Sequence, residues 1–215
     1  MASNAGDSNA TIECAEDGPY IVKGCDRLVD AAGAALATRK LMALCRCGGS
    51  AKKPFCDGTH AKIGFSGARV ADGSEGRRES YLGKAITIHD NRAICAHAGV
   101  CTDRLSSVWR MNEEPWIDAD GASVEAIMEV IRACPSGALS YSVDGAEGMS
   151  PAAEPVIRVS KDGPYHVTGG VELADAAWGE GASRDRYTLC RCGASKNKPF
   201  CDGSHWDVGF KDGGG

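Results

Sequence analysis

The chain has 215 residues with a formal net charge of −5; 6% of it is aromatic, and it holds 28 glycines and 11 cysteines. That charge offers phosphates no long-range attraction, which argues against a nucleic-acid surface, and no apolar run approaches the roughly eighteen residues of a membrane span. So glycine-rich a chain is expected to form small modules that need more than packing to hold them, and an odd number of cysteines behind an N-terminus without a basic region or apolar run predicts a cytoplasmic protein whose reduced thiols are open to metal.

In chain order, Asp17-Gly18-Pro19 is a turn signal and Tyr20 to Val22 a short β-favouring run. An alanine-rich connection follows, then an apolar approach from Leu41 to Leu44 that delivers the stretch CRCGGSAKKPFCDGTH at 45–60. Pro54 sets the chain direction before Cys56, and Asp57 is placed to cap a short helix carrying Thr59 and His60. A joint rich in Gly, Ser and charge covers 67–80. Beyond it Ala85 to Ile88 alternates like a strand. The run SVEAIMEVIRAC (123–134) places Val124, Ile127, Met128 and Ile131 on one helical face behind Ser123 as N-cap, and 138–143 reads as a returning strand. A second joint, 144–155, leads to a repeat of the beginning. Residues 17–65 align with 162–210 at a constant offset of 145 with 27 of 49 positions identical, and CRCGASKNKPFCDGSH stands at 190–205. Three units result: 11–66, 81–143 and 155–212.

Cys45-x-Cys47 brings two thiolates close together, and Cys56-x3-His60 brings a thiolate and an imidazole together through a turn. Four such soft donors suit one tetrahedral ion or a binuclear cluster. A structural zinc is the plain alternative, although zinc knuckles commonly separate their paired cysteines by two to four residues and here the gap is one. The whole stretch resembles the signature of the CDGSH iron–sulfur (mitoNEET-like) family, matched at Cys45, Cys47, Ser50, Pro54, Cys56, Asp57, Gly58, Thr59 and His60 and again at Cys190, Cys192, Ser195, Pro199, Cys201, Asp202, Gly203, Ser204 and His205. The resemblance implies a [2Fe–2S] cluster at each copy, with Cys45/Cys47 on one iron and Cys56/His60 on the other, and Cys190/Cys192 and Cys201/His205 likewise. It also implies an α+β fold in which two β-rich modules intertwine under a β-cap, here as a pseudo-dimer within one chain. Two separate beads on a string are the alternative. A membrane anchor is not expected, in contrast to membrane-bound members of the family.

The middle unit holds CAHAGVC at 95–101 and CPSGAL at 134–139. Together with PWID (115–118) it resembles the divergent mono-cluster ferredoxins. Cys95, Cys101 and Cys134 fill three ligand positions of that frame, and Ala98 falls on the fourth. Three thiolates suit a [3Fe–4S] cluster; ligation by His97 gives [4Fe–4S] instead. His97 also reads as a surface or supporting histidine.

Cys14 and Cys25 have no counterpart in the repeat and read as incidental thiols; His89 and His166 read as ordinary strand-end or surface histidines. Arg46, Arg191, Thr59 and Ser204 are expected to donate toward thiolate or sulfide beside the clusters. No nucleophile with its base and no phosphate-binding glycine motif is present, so the chain reads as a carrier rather than an enzyme. Proton-coupled electron transfer at histidine-ligated clusters is the first reading, because one imidazole for one thiolate raises the potential and its second nitrogen takes up a proton. The expected partners are redox proteins. Cluster donation to apo iron–sulfur acceptors, or redox sensing, is the competing reading, and a structural metal module the third.

Overall fold

The computed structural model describes residues 10–69, 78–148, 154–174, 176, 178 and 181–213. The first unit contains strands β1 (Thr11–Cys14), β2 (Tyr20–Lys23), β3 (Leu28–Val29) and β4 (Leu41–Leu44) and helix α1 (Thr59–Lys62). The middle unit runs β5 (Arg78–Leu82), β6 (Thr87–Asn91), α2 (Val100–Arg104), α3 (Val124–Ala133), β7 (Leu139–Val143) and β8 (Ala146–Glu147). The second copy has β9 (Val156–Val159), β10 (Tyr165–Thr168), β11 (Glu172–Leu173), β12 (Arg186–Leu189) and α4 (Ser204–Asp207).

The strands are short but obey the period of two: Tyr20 and Val22 are buried while Ile21 and Lys23 are half-buried. Asp17 and Asp162 open the turns before β2 and β10 with φ of 42° and 51°, a left-handed backbone that aspartate tolerates and a following glycine eases.

The two copies exchange strands. One sheet has the order β11-β1-β2-β4 and the other β12-β10-β9-β3, so each copy lends a two-residue strand to its counterpart. Leu173 pairs with Ile12 and Leu28 with Ile157, both in parallel. Adding 145 to Leu28 gives Leu173, and adding it to Ile12 gives Ile157, so the two exchanges are one contact repeated about a pseudo-two-fold. Tyr20 and Tyr165 meet on that axis with ring centroids 6.0 Å apart. The Tyr20 hydroxyl lies 2.9 Å from the Cys190 carbonyl and 3.0 Å from that of Pro199, and Tyr165 reaches Cys45 and Pro54 at the same distances. Both rings are buried, so each hydroxyl removed leaves carbonyls of the opposite copy short of a donor. Tyr165→Phe is therefore expected to lower unfolding stability by about 1–3 kcal/mol, read from the urea midpoint. A midpoint unchanged from the parent protein contradicts that expectation.

The middle unit is an antiparallel meander, β5-β6-β7-β8, with α3 against it. The Ser123 hydroxyl accepts from the Ala126 amide at 3.3 Å, the N-cap expected from sequence, and Ile127, Val130 and Ile131 are the buried face. Met128, expected there, is half-buried, and Val130 takes the inner place. Residues 78–80, expected within a joint, form the start of β5, because Arg78 pairs with Glu147 across the meander and Tyr81 packs edge-on against Trp116. The remainder of that joint at 70–77, and 149–153 of the second, lie outside the described residues. One continuous buried cluster runs through all three units, and the architecture is α+β.

Candidate metal centres

Each cysteine stretch is fastened to the strand that precedes it. Leaving β4, the chain turns back so that the Cys45 amide donates to the Pro54 carbonyl and the Cys56 amide to that of Ala43, both at 2.8 Å. That return places the second pair of donors against the first. Cys45 Sγ and Cys47 Sγ are 3.8 Å apart, and Cys56 Sγ and His60 Nδ1 3.4 Å. In the second copy the distances are 3.8 Å for Cys190/Cys192 and 3.5 Å for Cys201/His205.

The Asp-Gly of each motif sets the histidine. Asp57 accepts from the amides of Ala51 at 2.8 Å and Thr59 at 3.0 Å, tying the loop to the start of α1, and Asp202 does the same with Lys196 and Ser204. Bonds from Thr59 and Ala51 hold the Asp57 carboxyl well below the usual carboxylate range. Gly58 and Gly203 then turn the backbone at φ of 86° and 88° into the helices that carry His60 and His205.

The donors are paired rather than convergent. Among the described residues no three His, Cys, Asp or Glu side chains gather around one point as a mononuclear ion requires. A binuclear cluster asks only two protein ligands of each iron, for which paired donors suffice. The thiols also call for cationic compensation. Burial pushes Cys201 up to about 12 and raises Cys47; the bond between Cys190 and Cys192 raises Cys190 and lowers Cys192 to about 6, so that pair shares one proton. The raised thiols stay protonated until a metal displaces the proton. Burial lowers His205, keeping its imidazole in the neutral form that ligation needs. The amides of Gly49, Gly58 and Ala194 each lie 3.4 Å from a cysteine sulfur, of Cys47, Cys56 and Cys192 respectively. These backbone donors were not legible in the sequence, since any residue type supplies one.

Four side chains differ from expectation. Arg46 donates to the carbonyls of Gly18 and Ala15 and stacks on Tyr20 and Phe65; Arg191 holds those of Gly163 and Ser160, pairs with Asp212 and stacks on Tyr165 and Phe210. Both guanidiniums fasten the Asp-Gly-Pro turn to the loop instead of donating to sulfur. The turn presents convergent carbonyls, and a buried guanidinium satisfies its protons there. Ser204 donates its hydroxyl to Asp202 at 2.6 Å, and the Thr59 hydroxyl likewise serves Asp57.

In the middle unit Cys95, Cys101 and Cys134 line one cavity of about 240 Å³, with His97, Met111 and Trp116. Burial pushes Cys95 up to about 11 and raises Cys101, and the charge of Cys134 acts on both. His97 lines the cavity but its Nδ1 lies 3.1 Å from the Asp202 carbonyl in the second copy. Asn197 Nδ2 donates to the Ala93 carbonyl, and the His97 side chain and the Ala96 carbonyl abut Gly203. The middle unit thus sits on the second cysteine motif, near enough that Cys95 acts electrostatically on Cys201. The result is asymmetric: Cys201 and His205 are buried, whereas Cys56 and His60 remain partly exposed.

Paired thiolates with one imidazole, twice, beside a three-thiol pocket define an iron–sulfur protein. The family description "Iron-binding zinc finger CDGSH type" matches residues 17–61 and 162–206, and "Divergent 4Fe-4S mono-cluster" matches 81–144. The chain belongs to the CDGSH iron–sulfur family, with two such domains flanking a divergent mono-cluster domain. It is also similar to the uncharacterized protein YjdI of Escherichia coli strain K12, 37% identical over 67 residues that make up 31% of this chain and 88% of the relative. YjdI of Escherichia coli O157:H7 gives the same figures. No solved structure matches the chain. No helix among the described residues is long and apolar enough to cross a membrane.

Proposed function

We propose that the protein carries electrons through three clusters: [2Fe–2S] at Cys45, Cys47, Cys56 and His60, [2Fe–2S] at Cys190, Cys192, Cys201 and His205, and a cluster on Cys95, Cys101 and Cys134. The observation that supports this most is the seating of the middle cysteine pocket on the second motif through His97 and Asn197. Electron exchange needs short gaps between centres, and a structural metal module needs no such contact. The clusters supply one-electron acceptors; the protein supplies thiolate and imidazole ligands, amide donors to sulfur, and a histidine whose Nδ1 faces its cysteine partner so that Nε2 is left for a proton. None of the eleven cysteines is in a disulfide, which suits a reducing, cytoplasmic setting, and one chain supplies both halves of the pseudo-dimer.

Iron and acid-labile sulfide analysis with low-temperature electron paramagnetic resonance during stepwise reduction is the test. Two histidine-ligated centres and one all-thiolate centre are expected, and a colourless preparation holding zinc overturns the reading. The three thiols suit [3Fe–4S]; the family description favours [4Fe–4S], and the resonance signal separates them. His60→Cys is expected to lower the potential of one centre and flatten its pH dependence in voltammetry, and an unchanged slope refutes proton coupling.

Cluster donation is the second reading, favoured by the partial exposure of Cys47, Cys56 and His60. Mixing with an apo-ferredoxin distinguishes the two: transfer within minutes supports donation, and stable colour with reversible reduction supports a carrier.

A further inference from the structure

A cleft of about 420 Å³ opens where the chain around Arg27, the C-terminal end of α3 and the strands bearing Arg158, His166 and Arg186 come together. Arg27, Arg132, Arg158 and Arg186 line it with His166, against a single acid, Glu154. That acid stands at the rim, 78% exposed, 2.6 Å from Arg27. The guanidiniums are unequally engaged. Arg158 and Arg132 reach the Asp30 carbonyl and the Tyr141 hydroxyl at 3.4 Å each. Arg186 holds the carbonyls of Arg132 and Ile131, yet its buried Nε has no partner among the described residues. Arg186 is therefore largely committed, whereas Arg27, Arg132 and Arg158 each make one such bond out of five N–H donors and keep donors for a ligand. Burial, and after it the Arg158 charge, push His166 down to about 4, so it lines the cleft as a neutral imidazole.

The internal repeat shows that the fold does not require these charges. At the offset of 145, Arg158 corresponds to Glu13, Arg27 to Glu172, Arg186 to Leu41 and His166 to Ile21. Glu13 and Glu172 occupy the same exchanged-strand register on the opposite side, where Glu13 pairs with Lys23 at 2.6 Å. Two equivalent surfaces of one molecule therefore carry opposite sign, and only the side bounded by the middle unit is basic. In a chain of net charge −5, four arginines around a concavity with one acid at its rim are local chemistry rather than general basicity; the neighbouring cleft that shares Arg132 and Arg186 and adds Arg78 and Arg184 also holds Glu147 and Asp185.

We infer that this cleft binds a small anion bearing two or more phosphate or carboxylate groups. Several guanidiniums around one hollow match several separated anionic groups, and arginine binds both types in bidentate fashion. A concave site suits a small molecule better than the flat face of an acidic protein. Cys134 and Pro135 line both this cleft and the middle cysteine cavity, so the ligand lies directly behind those thiols. The inference stands whether or not the clusters carry electrons.

Calorimetric titration of the full chain with inorganic phosphate, pyrophosphate and tricarballylate tests it, with the visible spectrum recorded throughout to show that the iron chromophore persists. Saturable binding of one pyrophosphate or one tricarballylate per chain, tighter than phosphate, is expected, and the stronger of the two identifies the anion type. Arg158→Glu and Arg27→Glu are each expected to weaken it roughly tenfold or more, the loss of a charge-assisted hydrogen bond. Both should fold, since glutamates hold the equivalent strand positions; Arg158→Gln with a circular dichroism check provides a milder variant. Glu13→Gln, on the opposite side, should leave binding unchanged. No saturable binding of either oligoanion, equal affinity in the arginine variants, or binding of acidic proteins alone overturns the inference.

Discussion

Replacing Gly48 by alanine is expected to destabilise both paired sites at once, although the substitution touches only the first motif. Gly48 and Gly193 have φ of 77° and 81°, and a Cβ on either would stand 2.5 Å from the Cys192 carbonyl oxygen or 2.7 Å from that of Cys47. The left-handed backbone alone costs an alanine about 1–2 kcal/mol. The overlap adds to this, because the obstructing atom is backbone of the opposite ligand loop and cannot rotate away. Relief requires the two loops to part, which strains Cys47 and Cys192 and the tyrosine bonds beside them. Gly64→Ala separates the two effects: its φ is 63°, and its Cβ would meet nothing within 4 Å. Thermal unfolding and iron content are the measurements. Gly64→Ala should lose only the conformational part, and Gly48→Ala should lose more stability and deplete iron from both copies. Equal losses in the two variants contradict a close contact across the pseudo-axis.

These glycines also show how legible the chain was. The donor residues and the duplication could be read because spacing and identity are local properties of a string, and the α3 helix with its Ser123 cap could be read because its apolar period spans three turns. The exchanged strands β3 and β11 could not: two residues carry no period, and their partners lie more than a hundred positions away. Arg46 and Arg191 were misassigned for a related reason. Sequence placed them next to cysteines, but side-chain direction depends on where the Asp-Gly-Pro carbonyls lie in space. The docking of His97 on Asp202 was equally invisible, because the repeat makes Asp57 and Asp202 look equivalent and only tertiary contact chooses between them.

That choice leads to an expected difference between two nearly identical sites. Under an iron chelator the visible chromophore should bleach in two phases, the faster from Cys45, Cys47, Cys56 and His60. The cysteine and histidine donors, the amides beside them and the aspartate bond to the start of the helix recur in both copies, so donor chemistry gives no reason for unequal rates. The surroundings do. His60 and Cys56 are partly exposed, whereas His205 is 6% exposed and Cys201 2%. Iron leaves when a ligand is protonated or displaced by water, and the middle unit screens the second site from both. His97→Ala combined with Asn197→Ala removes the two side-chain bonds that hold the middle unit against the second motif, while leaving its Arg186 bonds and its own core of Ile88, Trp109 and Ile127 intact. The slow phase should then accelerate toward the fast one, with the fast phase unchanged. Assignment comes from His60→Cys and His205→Cys, each of which alters the spectrum of one site. A single phase in the parent protein, or a slow phase that belongs to His60, ends the argument that docking of the middle unit makes the two sites inequivalent.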